Sequence, residues 1–525
     1  MISSYLTEED LFSASWVCHY WRSVIVSSPS AWTRVSCCGV RRTLIGLDRC
    51  KSLPIRLQLK HTFSTAALEG VLLHGSSISS LTINYQPDHI ALLRQLFMFS
   101  RPSLKQLHIC SGAVEGWSAK EKPVHDIWNH MPYLRELIVY RYSIPIEQLN
   151  APNLLHLALD NTGYLREITV RTVLDTLRGC PLLETFLLCN WRLLQHDPLR
   201  RCSSVRLPSL RSIELGAYEV KSGLIAYLDF PPNIAAAFPG LALDDVYGNI
   251  IPPAVFASTQ QVLRRIDIRS ITFVAPLPPG TLGLVYFEGL EGSLEISAAG
   301  INDHEELRSV FFGPKRVLFS HSPRIGNVRE IHIQGCSFDA SRGSCLNTAM
   351  PKIASISFFQ CNEPTTFDPL TPKKSSSLLF PYLERILVLG RESGLENMAR
   401  RRKTCGVPLK TLIIGQGPRG PSPGQPGDYA KLGGLVGAVQ VGCPTEVSGI
   451  RNEIRDIWST LNSVAGPVSP NGNLNNIGPH SRRFCSNSLR VVEYLSFADS
   501  MFLGNVGGYQ LCKRLFTTDV VLYQR

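Results

Sequence analysis

The residues from Gly415 to Gly420 match the pattern G-x-G-x-x-G, which in nucleotide-binding proteins lets the backbone approach a phosphate. The pattern binds a pyrophosphate only when it opens a helix whose first N–H groups face the ligand. Proline removes such donors and prevents a helix from starting there. Four prolines interrupt this stretch: Pro418, Pro421, Pro423 and Pro426. The sequence therefore favours a Gly/Pro-rich loop or linker over 415–427, and not a nucleotide site.

A run of four basic residues, Arg400 to Lys403, is the second candidate for a functional motif. Short basic runs serve as nuclear localisation signals. This run also closes a segment with helical periodicity just before Gly406. Cations complement the dipole at a helix C-terminus, and glycine suits the position after it. We favour the helix terminus and keep the localisation signal as the alternative.

Acidic residues and histidines form no convergent cluster in the sequence. Asp244-Asp245 and His304-Glu305-Glu306 each stand alone, which is typical of solvated loops. No Ser/His/Asp order, metal-ligand spacing or phosphate loop remains. We therefore expect no catalytic, cofactor-binding or metal-binding residues and no enzyme activity. An enzyme on an α/β fold is the least favoured alternative.

Composition narrows the class of protein further. The fifteen cysteines are scattered from Cys18 to Cys512 without a Cys-x-x-Cys pair, so no zinc site is expected. Free cysteines suit a reducing compartment, and we expect a cytoplasmic or nuclear protein.

A net charge of +11 over 525 residues does not require a nucleic-acid partner. The longest apolar-leaning stretch, Leu224 to Leu243, contains Asp229 and three prolines, so no membrane partner is expected either.

An apolar pattern, L-x-x-L-x-L with Ile, Val or Phe as substitutes, recurs through the middle of the chain. Most matches begin 20 to 30 residues after the previous one, and they start at Ile78, Leu104, Leu134, Leu154, Leu183, Leu210, Leu263, Val328, Ile353, Leu383 and Leu409. The last two apolar residues of each match lie on one side of a short strand. This period and signature indicate leucine-rich repeats, irregular because the usual Asn or Cys is mostly missing. An unrelated domain of alternating strands and helices is the alternative.

Prolines stand just ahead of several predicted strands, as in Met131-Pro132 and Phe380-Pro381. We expect each to stop the preceding helix and to send the chain extended into the strand. Segments between strands, such as Val170–Arg178 and Leu395–Thr404, have helical periodicity. Each unit is therefore predicted to be strand, loop, helix. One parallel sheet is predicted to hold, side by side, the strands that begin near Leu104, Leu134, Leu154, Leu183 and Leu210.

The first 55 residues follow a different pattern. Thr7 and Asp10 are placed as an N-cap and an acid in the first helical turn. Apolar residues from Leu11 to Val24 then recur at steps of three and four, which predicts one amphipathic helix that ends near Ser28-Pro29. Three tryptophans in so short a segment exceed the needs of a small core, and tryptophan is enriched at interaction hot spots. Spacing alone leaves both roles open.

This segment resembles an F-box, especially the F-boxes of large mushroom-type fungal families, whose pattern runs roughly yL…dLl.a..VC..Wr.i..ssP.lW. The resemblance implies a docking unit without chemistry of its own, which binds a Skp-type adaptor and through it a cullin complex. The adaptor-binding residues it implies are Leu6, Leu11, Val17, Cys18, Trp21, Arg22, Pro29 and Trp32. The Leu-Pro and acidic residue that precede this pattern in the family are not present, so the first F-box helix is expected to be truncated.

The sequence thus predicts an α/β chain in three parts. These are a short helical F-box-like domain over 1–45, an irregular leucine-rich-repeat-like solenoid over 46–415, and a low-complexity loop with an atypical tail over 416–525. The resemblance implies the substrate-recognition subunit of a Skp–cullin–F-box ubiquitin ligase, whose repeats bind an unknown protein substrate. The alternative is a repeat scaffold with a degenerate F-box that never enters a ligase.

Overall fold

The structure is a computed structural model. It describes residues 8–36, 39–59, 65–85, 103–111, 131–140, 146–161, 166–194, 203–242, 253–274, 283–289, 292–299, 325–334, 344, 346–348, 350–359, 365–367, 370–371, 379–389, 392–415 and 430–442. The chain divides into two compact units, Met1–Pro231 and Pro232–Arg525, which we call unit 1 and unit 2. The fold is mixed α/β with a large parallel sheet.

Unit 1 begins with a helical segment. Its elements are α1 (Glu8–Val17), α2 (His19–Val26), a 3-10 turn (Pro29–Trp32) and α3 (Val40–Arg49). The single helix predicted across this region is wrong, because the chain breaks at Cys18. The Cys18 backbone is extended, with φ −159° and ψ 168°, and its sulfur accepts the Trp21 N–H at 3.5 Å. Cys18 is thus the N-cap of α2, and the apolar stripe is divided between two helices.

Eight parallel strands follow in unit 1. The strands of this sheet are β1 (Arg34–Ser36), β2 (Ile55–Leu59), β3 (Ile78–Tyr85), β4 (Gln106–Ser111), β5 (Glu136–Tyr140), β6 (His156–Asp160), β8 (Thr185–Cys189) and β11 (Ser212–Leu215). Each pairs in parallel with the next in that order. The prediction that the strands near Leu104, Leu134, Leu154, Leu183 and Leu210 lie side by side is therefore confirmed.

The motif residues form straight rows across this sheet. One row, in direct register, is Leu107, Leu137, Leu157, Phe186 and Ile213, and a second is Ile109, Val139, Leu159, Leu188 and Leu215. All ten side chains are buried. Each strand alone exposes an apolar face, so the core forms only when neighbouring strands stack in register.

Short elements connect these strands in unit 1. They are α4 (Thr65–Leu73), β7 (Arg166–Thr169), α5 (Val170–Arg178), β9 (Trp191–Leu194), β10 (Val205–Arg206), α6 (Ala217–Lys221) and β12 (Leu228–Asp229), with β7 parallel to β9 and β10 to β12. The predicted helical segment Val170–Arg178 coincides with α5. Thr169 caps it by accepting the Thr172 N–H at 3.0 Å, and Val173, Leu174 and Leu177 are buried.

Proline acts here through a tight turn. The buried residue before each proline accepts a backbone hydrogen bond, of 3.0 to 3.4 Å, from the apolar residue three positions later. Six such turns lie within the described ranges: Met131–Leu134, Ala151–Leu154, Cys180–Leu183, Leu207–Leu210, Met350–Ile353 and Phe380–Leu383. Proline occupies the second turn position, where its fixed φ is already suitable. The same turn therefore introduces each of these strands.

Unit 2 has its own set of strands and helices. They are β13 (Ala235–Ala242), α7 (Pro253–Leu263), β14 (Ile268–Val274), β15 (Gly283–Gly289), β16 (Ser293–Ala299), β17 (Glu330–Gln334), β18 (Ser355–Phe359), β19 (Thr365–Thr366), β20 (Arg385–Leu389), β21 (Glu392–Ser393), α8 (Leu395–Thr404), β22 (Thr411–Gly415), α9 (Ala430–Gly433) and β23 (Ala438–Gly442). Strands β14, β17, β18, β20, β22 and β23 are parallel neighbours in that order. Strand β15 pairs antiparallel with β14 and β16, and β16 is parallel to β13.

Two details of unit 2 bear on the predicted repeats. The match assigned to Leu263-Ile266-Ile268 is out of frame, because α7 extends to Leu263 and the strand residue in register with Ile331 is Ile271. Periodicity could not separate the end of this helix from the start of the strand. At the other end, β23 pairs with β22, so the sheet continues past residue 415, the predicted end of the repeats.

Candidate docking surface on the amino-terminal helices

A small core holds α1 and α2 against the following turn. Trp32 is 1% exposed, and its indole N–H donates to the Ile25 carbonyl at 2.9 Å. The Phe12 ring meets Trp32 edge-on at 5.2 Å, and the Arg49 guanidinium lies 4.4 Å from the Trp32 ring centroid. Leu11 is also buried. One contact between aromatic rings, one cation–π contact and one hydrogen bond therefore fix the position of Trp32.

Several large apolar side chains on the same two helices face solvent. Trp16 is 80%, Val17 72% and Tyr20 71% exposed, and Trp21 and Val24 are exposed as well. Val24 lies four positions after Tyr20 and three after Trp21, so it shares one side of α2 with both. We call these five residues the α1–α2 apolar surface. Exposed apolar patches of this kind mark sites of interaction with other molecules.

Two contacts set the geometry of this surface. The Cys18 cap makes α2 begin where it does, directly after Val17 at the end of α1. The Arg22 Nε–H donates to the Ser15 carbonyl at 2.9 Å and ties α2 back to α1. The apolar side chains at the end of α1 and the start of α2 are thus held next to each other.

The residues implied by the F-box resemblance fall into distinct groups. Leu6 lies outside the described residues. Leu11 and Trp32 are buried and support the helices from within, whereas Val17, Cys18, Trp21 and Arg22 are exposed, and Pro29 is half-buried. The sequence reasoning left out Trp16, Tyr20 and Val24 as site residues. Periodicity did not show the break at Cys18, which divides the apolar residues between two helices and leaves these three side chains exposed.

The cap predicts a modest effect on stability. Serine is a stronger N-cap than a thiol, since its oxygen accepts a shorter hydrogen bond, whereas alanine accepts none. We expect Cys18→Ser to keep or raise the thermal midpoint and Cys18→Ala to lower the free energy of unfolding by about 0.5–1 kcal/mol. Thermal denaturation followed by circular dichroism measures both. Equal midpoints for the two variants would mean that Cys18 does not act as a cap.

The second face of the unit 1 sheet is not an open surface. On this face one row of side chains is buried, namely Thr82, His108, Ile138, Ala158 and Leu187. The next row, Gln106, Glu136, His156, Thr185 and Ser212, is half-buried. A stacked repeat array normally offers this side to a partner. In the part of the chain that the structure describes, this face is thus buried along one row and half-buried along the next, which leaves a partner limited surface there.

A polar network lies on that buried face. The Glu136 carboxylate is 3.1 Å from His108 Nε2, and it accepts a hydrogen bond of 2.7 Å from the Gln106 amide. His156 Nδ1 lies 2.9 Å from the Thr185 hydroxyl one strand further on. Burial raises the pKa of Glu136, but the bond to His108, the charges of His108 and His156 and the Gln106 amide together bring that pKa below its ordinary value. The carboxylate is therefore satisfied in place and has a structural role.

A second buried carboxyl group joins α6 to the strands. Glu219 is fully buried, and its Oε1 accepts the Trp191 N–H. Asp160 lies nearby and accepts a hydrogen bond of 2.7 Å from the Asn190 amide, whose backbone has a positive φ of 64°. Burial raises the pKa of Glu219 to about 8, the Trp191 N–H lowers it, and the charge of Asp160 raises it. At pH 7 Glu219 is therefore mostly protonated.

The basic run has a structural explanation. Helix α8 ends at Thr404 and Gly406 has a φ of 76°, so the predicted helix terminus is confirmed. Arg402 is fully buried, and its guanidinium donates to the carbonyls of Leu379, Phe380 and Leu383 at 3.0 to 3.4 Å. The run is therefore not a continuous exposed basic strip.

The remaining sequence candidates lie outside the described residues. These are residues 416–420 of the glycine pattern, Asp244-Asp245 and residues 304–306. Within the described ranges, no group of three or more His, Cys, Asp or Glu side chains is arranged to hold a metal ion. None of the helices there combines the length and the apolar character needed to cross a membrane.

Comparisons with known proteins do not add a family. A scan against protein-family models finds no match, and a search of the curated proteins finds none either.

Proposed function

We propose that this chain is the substrate-recognition subunit of a Skp–cullin–F-box ubiquitin ligase and is not itself an enzyme. The α1–α2 apolar surface is the observation that carries the proposal. The two helices expose two tryptophans, one tyrosine and two valines. A partner would bury these aromatic side chains on binding, and buried aromatic anchors account for most of the binding energy at interfaces. The buried Trp32 and Leu11 hold these anchors in position.

The rest of the chain would form an irregular leucine-rich-repeat-like solenoid, and this solenoid would bind the substrate. In-register rows of motif residues and the repeated proline turns support this reading, because a repeat array buries its core only by stacking similar units. A ligase subunit of this kind would act in the cytoplasm or the nucleus. A Skp-type adaptor with its cullin complex and a protein substrate would be its partners.

Capture of the full chain on an immobilised Skp-type adaptor tests the proposal. We expect Trp16→Ser with Tyr20→Ser to weaken binding by at least about 30-fold, since two central aromatic anchors are lost. The matched control is Leu73→Ser with Tyr382→Ser, which removes two apolar side chains that are exposed elsewhere. Binding of the control should equal that of the unchanged protein.

Two outcomes would count against this function, and a third result is a check on folding. Failure of the unchanged chain to bind any Skp-type adaptor would favour the scaffold alternative. Equal binding by the Trp16/Tyr20 variant and the control would show that the adaptor does not use the α1–α2 apolar surface. A loss of circular dichroism in the variant would show misfolding, and Trp16→Phe with Tyr20→Phe should then retain the fold and most of the binding.

A further inference from the structure

The amino-terminal edge of the unit 1 sheet carries a second exposed apolar row. Glu136, His156, Thr185 and Ser212 are in register on four neighbouring strands. A turn proline precedes each of them by four residues, so the four prolines, Pro132, Pro152, Pro181 and Pro208, lie in line. The residues that follow them include Tyr133 at 58% and Leu182 at 46% exposure. Asn153 Nδ2 donates to the Pro132 carbonyl at 3.0 Å and joins two of the turns. We call this row the turn ridge.

A row of five residues, four of them charged, runs beside the turn ridge. Backbone hydrogen bonds of 2.7 to 2.8 Å connect, in order, Lys105, Arg135, Leu155, Glu184 and Arg211. The three cations are exposed. No carboxylate within the described ranges of unit 1 lies within 4.0 Å of their charged nitrogens. In unit 2, by contrast, Lys410 and Glu384, in equivalent positions relative to their strands, form an ion pair of 2.6 Å.

We infer that the turn ridge and its cations bind an extended, acidic segment of a protein substrate. The inference rests on the proposed function and names the class of substrate for it. Charge complementarity selects an acidic partner, and Tyr133 and Leu182 add apolar contacts beside the cations. The two rows of the sheet face beside this edge are buried or half-buried, whereas Tyr133, Arg135 and Arg211 at the edge are exposed and accessible to such a segment.

The spacing of the cations describes the segment further. Neighbouring strands are ~4.8 Å apart, so the three steps from Arg135 to Arg211 span about 14 Å. An extended peptide rises about 3.3 Å per residue, so two acidic residues about four or five positions apart would reach both cations. Leu155 lies between the two cations, so we expect an apolar residue at the corresponding position of the bound segment. Nucleic acid fits less well, because Glu184, which lies between Leu155 and Arg211, would repel a phosphate at that point of the row.

Binding of fluorescein-labelled peptides to the full chain tests the inference. The probe is a twelve-residue peptide with two aspartates five positions apart and with Leu and Tyr between them. Its comparisons are the same peptide with lysines for the aspartates, and single-stranded DNA of equal length. We expect binding of the acidic peptide, weakening at higher salt because exposed charges are screened, and a loss of about tenfold in Arg135→Glu with Arg211→Glu.

The control variant is Arg264→Glu with Arg269→Glu, which makes the same charge change in unit 2 and should bind the peptide normally. Unchanged binding by the Arg135/Arg211 variant would overturn the inference. So would equal binding of the lysine peptide, or tighter binding of the DNA. The Trp16/Tyr20 variant should bind the peptide normally. Failure of adaptor capture with intact peptide binding would therefore remove the ligase function alone.

Discussion

Replacing Arg402 with alanine is expected to lower the free energy of unfolding by about 3–5 kcal/mol. The guanidinium is fully buried and donates to three carbonyls at the Phe380–Leu383 turn, where Phe380 has a positive φ of 52°. Alanine would leave a cavity and remove donors from these carbonyls. Burial lowers the pKa of Arg402 to about 10, so the group is still charged at pH 7 and its loss removes charge-assisted hydrogen bonds.

Two companion variants identify the cause. Arg400→Ala, in the same helix, removes an exposed ion pair with Glu396 and should cost no more than about 0.5 kcal/mol. Arg402→Met keeps much of the buried volume without the donors, so it should fall between alanine and the unchanged protein. Urea denaturation followed by tryptophan fluorescence and circular dichroism measures all three. Similar midpoints for Arg402→Ala and Arg400→Ala would refute the role of the buried guanidinium.

Glu219→Gln is expected to make the protein progressively more stable than the unchanged chain as the pH rises. The pKa of Glu219 is about 8 in the folded protein against an ordinary value of 4.5. Between these values the folded state keeps a proton that the unfolded state has released, so the unfolding free energy falls as the pH rises. The unfolding free energy falls by at most about 1.4 kcal/mol per pH unit, and this dependence on pH levels off above pH 8. Glutamine is neutral and its oxygen can still accept the Trp191 N–H.

The measurement is the difference in unfolding free energy between Glu219→Gln and the unchanged protein at pH 5, 6, 7 and 8. Using the difference removes the titration of the other groups. Glu69→Gln, which changes an exposed glutamate in α4, is the control for the removal of one carboxylate. Parallel curves for the Glu219 variant and the unchanged protein would show that this carboxyl group is not held protonated by the fold.

Much of the strand and helix pattern could be predicted because it depends on neighbours along the chain. The L-x-x-L-x-L matches located ten of the strands, although strands such as β1, β2, β13, β15 and β23 carry no match. The bounds of α5 and α8 follow from helical periodicity over about ten residues. The frame at Leu263 was wrong for the same reason, since a short apolar run between a helix and a strand fits either element. A cysteine cap is a weak local signal, so the break at Cys18 was not visible either.

The sequence by itself thus determined the recurring apolar pattern and the parallel pairing of the strands that carry it, because the pattern arises from residues a few positions apart and repeats at a near-regular spacing. The tight turns at the prolines were seen only in the structure. Only the tertiary structure decided which tryptophan is core and which faces solvent, since burial depends on what packs against a helix and not on its periodicity. The same holds for Glu219 and Arg402. Their partners, Trp191 and the carbonyls near Phe380, lie 19 to 28 residues away in the chain and meet them only after the strands have stacked.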